Sequence, residues 1–329
     1  MLASSPEITK NVIAALALCV NLRSMTWIDD NHPKIDPIFL NFVDVLRDLP
    51  IRELTIRTHS NPGQEVWSRL VTMTGLQKVS LSCTEIPSQV LQKWFKVLSP
   101  HLTQLELKVG DFVNPVLDEQ AFMLPKLCTD VEPIVQSLSR LSRLQDLRLK
   151  GVRASVIPFI LGFLPNLQSL DIEYNPTKSA SYDIQDDMPS LRQPNSLSGR
   201  VASPVLRHVT VRTTWPGSVG SCYFWKWILD LVPHPGLETF CLCTMNADAV
   251  IPSTFLVDLA TKHRSTFKRV MVGACHLTLA DIQFLCSRVP SLEALECSLS
   301  SPDMVRAPFI FAHTFLTAHQ MPRLALFRH

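Results

Sequence analysis

One short apolar pattern recurs along this chain and constrains its fold more than any other feature. In the segment Leu164–Asn175 (LPNLQSLDIEYN), the apolar residues Leu167, Leu170 and Ile172 are spaced by three and then by two. A lone helix would repeat near 3.6 residues and a lone strand near 2, so neither element alone accounts for this spacing. The pattern therefore predicts a compound unit in which a turn leads into a short strand.

The same pattern occurs ten times in the chain. Its first positions are separated successively by 29, 25, 26, 42, 23, 39, 31, 30 and 25 residues, so seven of the nine spacings lie near one length and two are long. The matches are Leu22/Met25/Trp27, Ile51/Leu54/Ile56, Leu76/Val79/Leu81, Leu102/Leu105/Leu107, Leu144/Leu147/Leu149, Leu167/Leu170/Ile172, Leu206/Val209/Val211, Leu237/Phe240/Leu242, Phe267/Val270/Val272 and Leu292/Leu295/Cys297. A single match would carry little weight, whereas ten in register indicate a repeat protein.

A helix-like apolar run precedes most of these matches. Four such runs are Phe39–Leu49, Val90–Leu98, Ile157–Leu164 and Leu279–Val289. Several end in a helix breaker such as Pro165, since proline disfavours helix in the residue before it. Each unit is thus predicted to contain a helix, a tight turn, a short strand and a loop. The second and third apolar residues point into the core because side chains alternate along a strand with period 2.

This unit resembles the leucine-rich repeat, whose pattern is L-x-x-L-x-L-x-x-N/C-x-L. The ninth position is Asn175 in one unit and Cys275 in another, and it holds other residue types elsewhere. The unit around Cys275 resembles the cysteine-containing repeats of F-box proteins, and the long, helix-rich units resemble fungal-type F-box/leucine-rich-repeat proteins. The resemblance implies an α/β fold, a right-handed leucine-rich-repeat solenoid with a parallel sheet on the concave face and helices on the convex face.

We expect residues 1–329 to form a single solenoid of about ten repeats, interrupted by two insertions. The first insertion, residues 110–129, retains apolar side chains, whereas the second, residues 175–204, is rich in serine, proline and aspartate. The second composition is typical of a surface loop, and a docking or phosphorylation segment around Ser190, Ser196 and Ser198 is the less favoured interpretation.

Both ends of the chain suggest that repeats are missing. The first repeat begins within about twenty residues of Met1, and no F-box sequence precedes it. The segment Met321–His329 (MPRLALFRH) indicates an eleventh turn and strand that contains Leu324 and Phe327, and no polar capping repeat follows it. We therefore expect the chain to be truncated at both ends.

Composition bounds the classes of function. The net charge is +2, from 31 basic and 29 acidic residues, which gives no support for binding to nucleic acid or a membrane. With 10 glycines and no G-x-G-x-x-G or G-x-x-x-x-G-K-[ST] motif, a glycine-rich phosphate loop is not expected.

The nine cysteines lie mostly in apolar runs, which favours free thiols in a reducing cytoplasmic or nuclear compartment. The segment Val12–Val20 is too short to span a bilayer and is interpreted as a buried helix.

No H-E-x-x-H, G-x-S-x-G or kinase signature appears, so no catalytic or cofactor-binding residue is predicted. The pair Cys241-x-Cys243, with His234 and His263 as conceivable ligands, is the closest approach to a metal site. Zinc sites usually space their cysteines by two to four residues and need four donors. We interpret the pair as exposed thiols on the open face of a strand, and an enzyme or metal site there is the least favoured alternative.

The densest aromatic cluster is Tyr223–Trp227 (YFWKW). Aromatic side chains both fill cores and anchor interfaces. Trp227 shares a helical face with Phe224 and Leu231, which predicts a core position for it and leaves Trp225 open between core and interface.

The repeats favour protein–protein recognition without chemistry, cofactor or metal, and without a nucleic-acid or membrane partner. The resemblance implies the substrate-binding repeat region of an F-box-type ubiquitin ligase subunit, for which a ligase adaptor would be a second partner. The alternative is a stand-alone repeat scaffold or regulator unrelated to ubiquitin transfer. The candidate partner-binding residues on the concave face form either a strip of basic and acidic charges or an ordinary solvated surface, and they are Arg57, Lys108, Arg148, Lys150, Asp171, Glu173 and Arg212.

Overall fold

In this computed structural model a helix lies between most of the successive strands that are described. The structure describes residues 6–29, 37–84, 86–109, 131–152, 154–174, 203–213, 222–244, 250–299 and 323–326. The chain divides into two compact units, the first comprising Met1–Leu167 with Pro176–Ala202 and the second comprising Gln168–Asn175 with Ser203–His329. The predicted insertion at residues 110–129 lies outside the described residues, as does that at residues 175–204 except for Ser203 and Pro204.

The first unit contains five strands in the part that the structure describes, and each strand pairs in parallel with the next along the chain. The strands are β1 (Ser24–Asp29), β2 (Glu53–Thr58), β3 (Lys78–Cys83), β4 (Gln104–Val109) and β5 (Asp146–Lys150). The helices are α1 (Pro6–Ala17), α2 (Pro37–Arg47), α3 (Gly63–Leu70), α4 (Ser88–Leu98), α5 (Val131–Leu138) and α6 (Ile157–Leu161).

The second unit continues the same alternation, and its strands again pair in parallel in chain order. The strands are β6 (Ser169–Glu173), β7 (His208–Thr213), β8 (Thr239–Thr244), β9 (Arg269–Leu277), β10 (Ala294–Leu299) and β11 (Arg323–Leu326). The helices are α7 (Cys222–Leu231), α8 (Ser253–His263) and α9 (Leu279–Arg288).

The strand register confirms the assignment of the repeat. The second apolar residues of successive repeats lie opposite one another, and so do the third. From β2 to β10 these residues are at most 2% exposed, and they pack against buried side chains of the helices such as Trp67, Trp94 and Phe255. Each unit therefore has the predicted α/β leucine-rich-repeat architecture, with a parallel sheet on one side, helices on the other and the core between them.

One hydrogen-bonding device recurs at the start of the strands. The carbonyl oxygen of the residue before a strand accepts two backbone N–H groups from the corresponding turn of the next repeat, at N···O distances of 2.7–3.1 Å. The accepting residues are Arg23, Arg52, Gln77 and Thr103 in the first unit and Gln168, Arg207, Glu238 and Lys268 in the second. We call this device the double-acceptor turn.

The first repeat departs from the prediction of a buried helix over Val12–Val20. Helix α1 does form, but Leu18 is 79% exposed and Val20 is 65% exposed. Of the residues of α1 whose exposure is described, 7–17, none is buried. The prediction of burial is therefore wrong. In the described part of the chain, no helix is long and apolar enough to cross a membrane.

The predicted eleventh strand is present as β11, with a corrected register. Leu324 lies opposite Leu295 and Leu326 lies opposite Cys297. Leu326 therefore aligns with the third apolar residues, whereas the sequence interpretation named Phe327, which lies outside the described residues.

The aromatic cluster of α7 is part of the core. Trp227 is 1% exposed, as predicted, and Trp225 is 4% exposed. The ring of Trp225 lies 5.0 Å from that of Phe224 and 4.6 Å from that of Phe255 on α8. The question left open for Trp225 is thus decided in favour of packing, and we assign it no role in an interface.

A capping box fixes the start of α9. The Thr278 hydroxyl accepts a hydrogen bond from the backbone N–H of Asp281 at 3.2 Å, and the Asp281 carboxylate accepts from the backbone N–H of Thr278 at 3.1 Å. Asp281 is buried, and it also accepts from the hydroxyl of Ser253 at the start of α8. The carboxylate therefore ties the first turns of two helices together.

The Thr278 hydroxyl also donates to the Asp281 carboxylate at 2.7 Å. We therefore expect Thr278→Ala to lower the free energy of unfolding by about 1–2 kcal/mol, because it removes the cap and one of the donors to a buried carboxylate. Thr278→Ser keeps the hydroxyl and is the matched control. Urea denaturation of the three proteins measures the effect, and equal losses in both variants would contradict a capping role.

Candidate partner-binding surface

The side chains that alternate with the core residues along the strands lie on the sheet face opposite the helices, which we call the open face. The strand positions place all seven predicted partner-binding residues on this face. Arg57 and Lys150 are exposed, and the other five are partly buried. The predicted positions are Arg57 on β2, Lys108 on β4, Arg148 and Lys150 on β5, Asp171 and Glu173 on β6, and Arg212 on β7.

Glu106 on β4 organises the charges on the open face of the first unit. Its Oε1 lies 2.9 Å from Nζ of Lys108 and 3.1 Å from Nη1 of Arg148, and its Oε2 accepts a 2.8 Å hydrogen bond from the hydroxyl of Ser80. Burial raises the pKa of Glu106, but the hydrogen bonds and cationic charges outweigh burial and hold the pKa below its ordinary value. Lys108 and Arg148 are therefore already paired within the chain.

The sequence interpretation did not include Glu106. Its position between Leu105 and Leu107 marked it as an open-face residue, equivalent to Arg148 on the next strand. A period-2 pattern identifies which side chains share a face, but it does not say which of them approach within bonding distance. The cluster of Glu106 with Ser80, Lys108 and Arg148 is thus a structural finding.

A cationic row runs across four strands of the first unit. Arg57, Ser82, Lys108 and Lys150 occupy equivalent positions on β2, β3, β4 and β5. Ser82 is nearly buried in this row, whereas Lys150 is exposed. Among the described residues no carboxylate forms an ion pair with Lys150. Its ammonium group is accordingly available to an external anion.

Arg212 and Asp171 form a bidentate pair on the open face of the second unit. Nε of Arg212 donates to Oδ1 of Asp171 at 2.8 Å, and Nη2 donates to Oδ2 at 2.9 Å. These hydrogen bonds raise the pKa of Arg212 and hold its guanidinium flat against the sheet. Two residues that the sequence suggested as separate contacts for a partner are thus joined to each other.

The thiols of Cys241 and Cys243 lie beside this pair. Their sulfur atoms are 3.7 Å apart, and Nη1 of Arg212 lies 3.7 Å from the sulfur of Cys243. Burial, assisted by the neighbouring Cys243, raises the pKa of Cys241 to about 12. Both thiols are half-buried, so the prediction of exposed thiols is wrong. Side chains at equivalent positions on the adjacent strands, Arg212 and Met271, flank them and restrict their exposure.

The two histidines considered with this pair are not brought to it. His263 on α8 is completely buried on the helix side of the sheet, where its Nδ1 accepts the backbone N–H of Leu237 at 3.3 Å. His234 is exposed in the turn before β8. In the ranges that the structure describes, no group of three or more histidine, cysteine or acidic side chains could hold a metal ion.

Comparison with known proteins adds little to this description. No protein-family model matches the chain. No curated protein matches it. Among solved structures, the chain is similar to one in the Rad7 and Elc1 complex of yeast, with 15% identity, a TM-score of 0.39 and coverage of 98% of this chain and 85% of that chain.

Two further solved structures are similar to this chain. One is the leucine-rich-repeat-containing protein LegL7 from Legionella pneumophila, with 15% identity, a TM-score of 0.44 and coverage of 73% of this chain and 72% of that chain. The other is in the complex of TLR13 with ssRNA13, with 16% identity, a TM-score of 0.30 and coverage of 86% of this chain and 48% of that chain. At such identities and scores these similarities say nothing about function, and the fold assignment rests on the strands, helices and register described above.

Proposed function

We propose that the open face is a protein-recognition surface and that the chain carries out no chemistry of its own. The observation that carries this proposal is the Glu106 cluster, in which two cations are held at fixed positions on a strand-borne surface. Charges positioned in advance on a rigid element set the rate and the specificity of association more than its final affinity. The opposite side of the same sheet is filled by core, so the open face is the side that a partner can reach.

The cationic row of the first unit favours a partner with an acidic or phosphorylated segment. Among the described residues no carboxylate pairs with Lys150, which lies at one end of the row, and Lys108 supplies a second ammonium group that Glu106 pairs with and orients. In the second unit Asp171 is occupied by Arg212, whereas Glu173 at the end of the same strand is partly exposed and can attract a basic group. The proposed contacts therefore depend mainly on Lys108, Lys150 and Glu173.

Charge reversal of the cationic row tests this surface. In Lys108→Glu/Lys150→Glu we expect association with an acidic partner to slow by about tenfold or more and to lose most of its salt dependence, because electrostatic steering is removed. Stopped-flow association kinetics at several salt concentrations, with circular dichroism to verify folding, would measure this.

The matched control is Lys93→Glu/Lys96→Glu. Both lysines are exposed on α4, on the helix side of the same unit, so the change in net charge is identical. Association that slows equally in the two double variants would assign the effect to net charge and contradict a binding site on the open face.

The finer proposal is that recognition by this chain selects substrates for an F-box-type ubiquitin ligase, as the subunit's substrate-binding repeat region. The alternative proposal is a stand-alone scaffold or regulator. Affinity purification of the native protein from its own cells, followed by mass spectrometry, distinguishes them. Recovery of a cullin and a ligase adaptor supports the first proposal, and recovery of a stable partner without ligase subunits supports the second.

A further inference from the structure

Three sulfur-containing side chains occupy neighbouring positions on the open face of the second unit. Cys241 and Cys243 lie on β8 with their sulfur atoms 3.7 Å apart. Met271 lies directly opposite Cys241 on β9, and adjacent strands of a sheet are about 4.8 Å apart. All three side chains are partly exposed to solvent. Two thiols and a thioether are thus grouped where a small ligand can reach them.

The spacing of the two thiols fits a shared metal ion. With metal–sulfur distances of about 2.3 Å, sulfur atoms 3.7 Å apart subtend an angle of about 107° at the metal. That angle lies near the tetrahedral and trigonal values, so the two cysteines of β8 can share one ion at their present separation. A disulfide would require the sulfurs to approach to about 2.05 Å across two residues of an extended strand, whose Cα separation lies at the upper limit for such a bond.

The donor set selects the kind of metal. Thiolate and thioether sulfur are soft donors that prefer Cu(I), whereas zinc sites in proteins are completed by four nitrogen, sulfur or oxygen donors. The described residues place no third histidine, cysteine or acidic side chain in such a group. Cu(I) forms stable complexes with two or three sulfur donors, which is the number present here.

The charges around the two thiols are mixed, because Arg212 is cationic and Glu296 on β10 is anionic. Two thiols that bind Cu(I) release two protons and leave a complex with one net negative charge. The guanidinium of Arg212 lies 3.7 Å from the sulfur of Cys243 and is fixed there by Asp171. Burial and the neighbouring Cys243 hold the pKa of Cys241 at about 12 against the opposing charge of Arg212, so the metal ion has to displace the proton of that thiol.

We propose that Cys241, Cys243 and Met271 form a binding site for one soft monovalent metal ion, Cu(I), on the open face of the second unit. This proposal does not depend on the protein-recognition function, because it concerns strands β8 and β9 rather than the cationic row of the first unit. Occupation of the site would replace two neutral thiols by an anionic complex beside Arg212.

Anaerobic titration with Cu(I), in competition with bicinchoninate, tests the proposal on the full chain. The wild-type protein is expected to retain one tightly bound Cu(I), and Cys241→Ser/Cys243→Ser is expected to lose it. The matched control is Cys19→Ser/Cys222→Ser, which removes two exposed thiols elsewhere and should retain the ion. Failure of the wild-type protein to compete, or retention of copper by Cys241→Ser/Cys243→Ser, would overturn the proposal.

A separate measurement tests whether Met271 binds the copper ion. X-ray absorption of the copper-loaded wild-type protein is expected to detect three sulfur atoms bound to copper. In Met271→Leu, whose side chain is similar in volume, we expect two bound sulfur atoms and weaker retention of copper. An unchanged sulfur count in Met271→Leu would remove Met271 from the site. Binding of zinc in preference to Cu(I) would overturn the choice of metal.

Discussion

Leu170→Ala is expected to lower the free energy of unfolding by about 2–5 kcal/mol, the usual cost of removing a fully buried leucine side chain. Leu170 is 1% exposed and lies opposite Val209 in the row of second apolar residues of the second unit. Truncation leaves a cavity on the core side of β6, beside Val209 of β7. Leu147, 2% exposed at the equivalent position on β5, should respond similarly.

The adjacent Ser169 provides the control for this prediction. It lies on the open face and is partly exposed, so Ser169→Ala should change stability by about 0.5 kcal/mol or less. Urea denaturation followed by circular dichroism measures both variants. Comparable losses for Leu170→Ala and Ser169→Ala would show that the assigned register of β6 is wrong.

Acidification is expected to destabilise the second unit through His263. Burial, with a smaller contribution from the charge of Lys262, lowers the pKa of His263 from 6.5 to about 4. In the folded state the ring therefore stays neutral, while in the unfolded chain it gains a proton as the pH falls below about 6.5. Stability is consequently lost between about pH 6.5 and pH 4, by about 3 kcal/mol in all.

The prediction is measured by urea denaturation at pH 7 and pH 4.5 in the wild-type protein and in His263→Asn. Asparagine cannot titrate, and its side-chain oxygen can still accept the backbone N–H of Leu237 that Nδ1 accepts in the wild-type protein. We expect the variant to be less stable at pH 7 but to lose less stability on acidification. His234→Asn, at an exposed histidine, should keep the wild-type pH dependence. The same pH dependence in wild-type and His263→Asn proteins would exclude His263 as the titrating group.

The repeat pattern predicted the strands better than any other feature of the fold. Every described strand from β1 to β10 contains the second and third apolar residues of one match, because their burial on the same sheet face requires a spacing of two. Helix ends were less well predicted. The run Ile157–Leu164 contributes helix α6 only to Leu161, after which Phe163 and Leu164 close tight turns onto Ile160 and Leu161.

The errors of the sequence interpretation arise where neighbours decide the outcome. The apolar composition of Val12–Val20 indicated burial, but composition alone does not say which parts of the chain cover a segment. The exposure of Cys241 and Cys243 likewise depends on Arg212 and Met271, which lie about thirty residues away along the chain. Local pattern identified the face correctly and the degree of burial incorrectly.

The candidate surface was only partly predictable for a related reason. The seven charged positions were identified from alternation alone, and the structure places them on the open face as expected. Their pairing depends on how long side chains such as Lys108 and Arg148 converge on a carboxylate from two strands. Such convergence is a property of three-dimensional geometry, so Glu106 could be identified as a member of the face but not as the centre of the cluster.

The double-acceptor turn also explains how repeats of unequal length coexist in this chain. Thr103 accepts the N–H groups of Gln145 and Asp146, and Gln168 accepts those of Arg207 and His208, with the same geometry as in the shorter repeats. Each strand is therefore aligned at its entry, independently of how many residues the preceding connection contains. Segments can be lengthened between a strand's end and the next turn without shifting the rows of the sheet. The length of a connection can therefore vary from repeat to repeat while the side chains on the open face stay aligned in their rows.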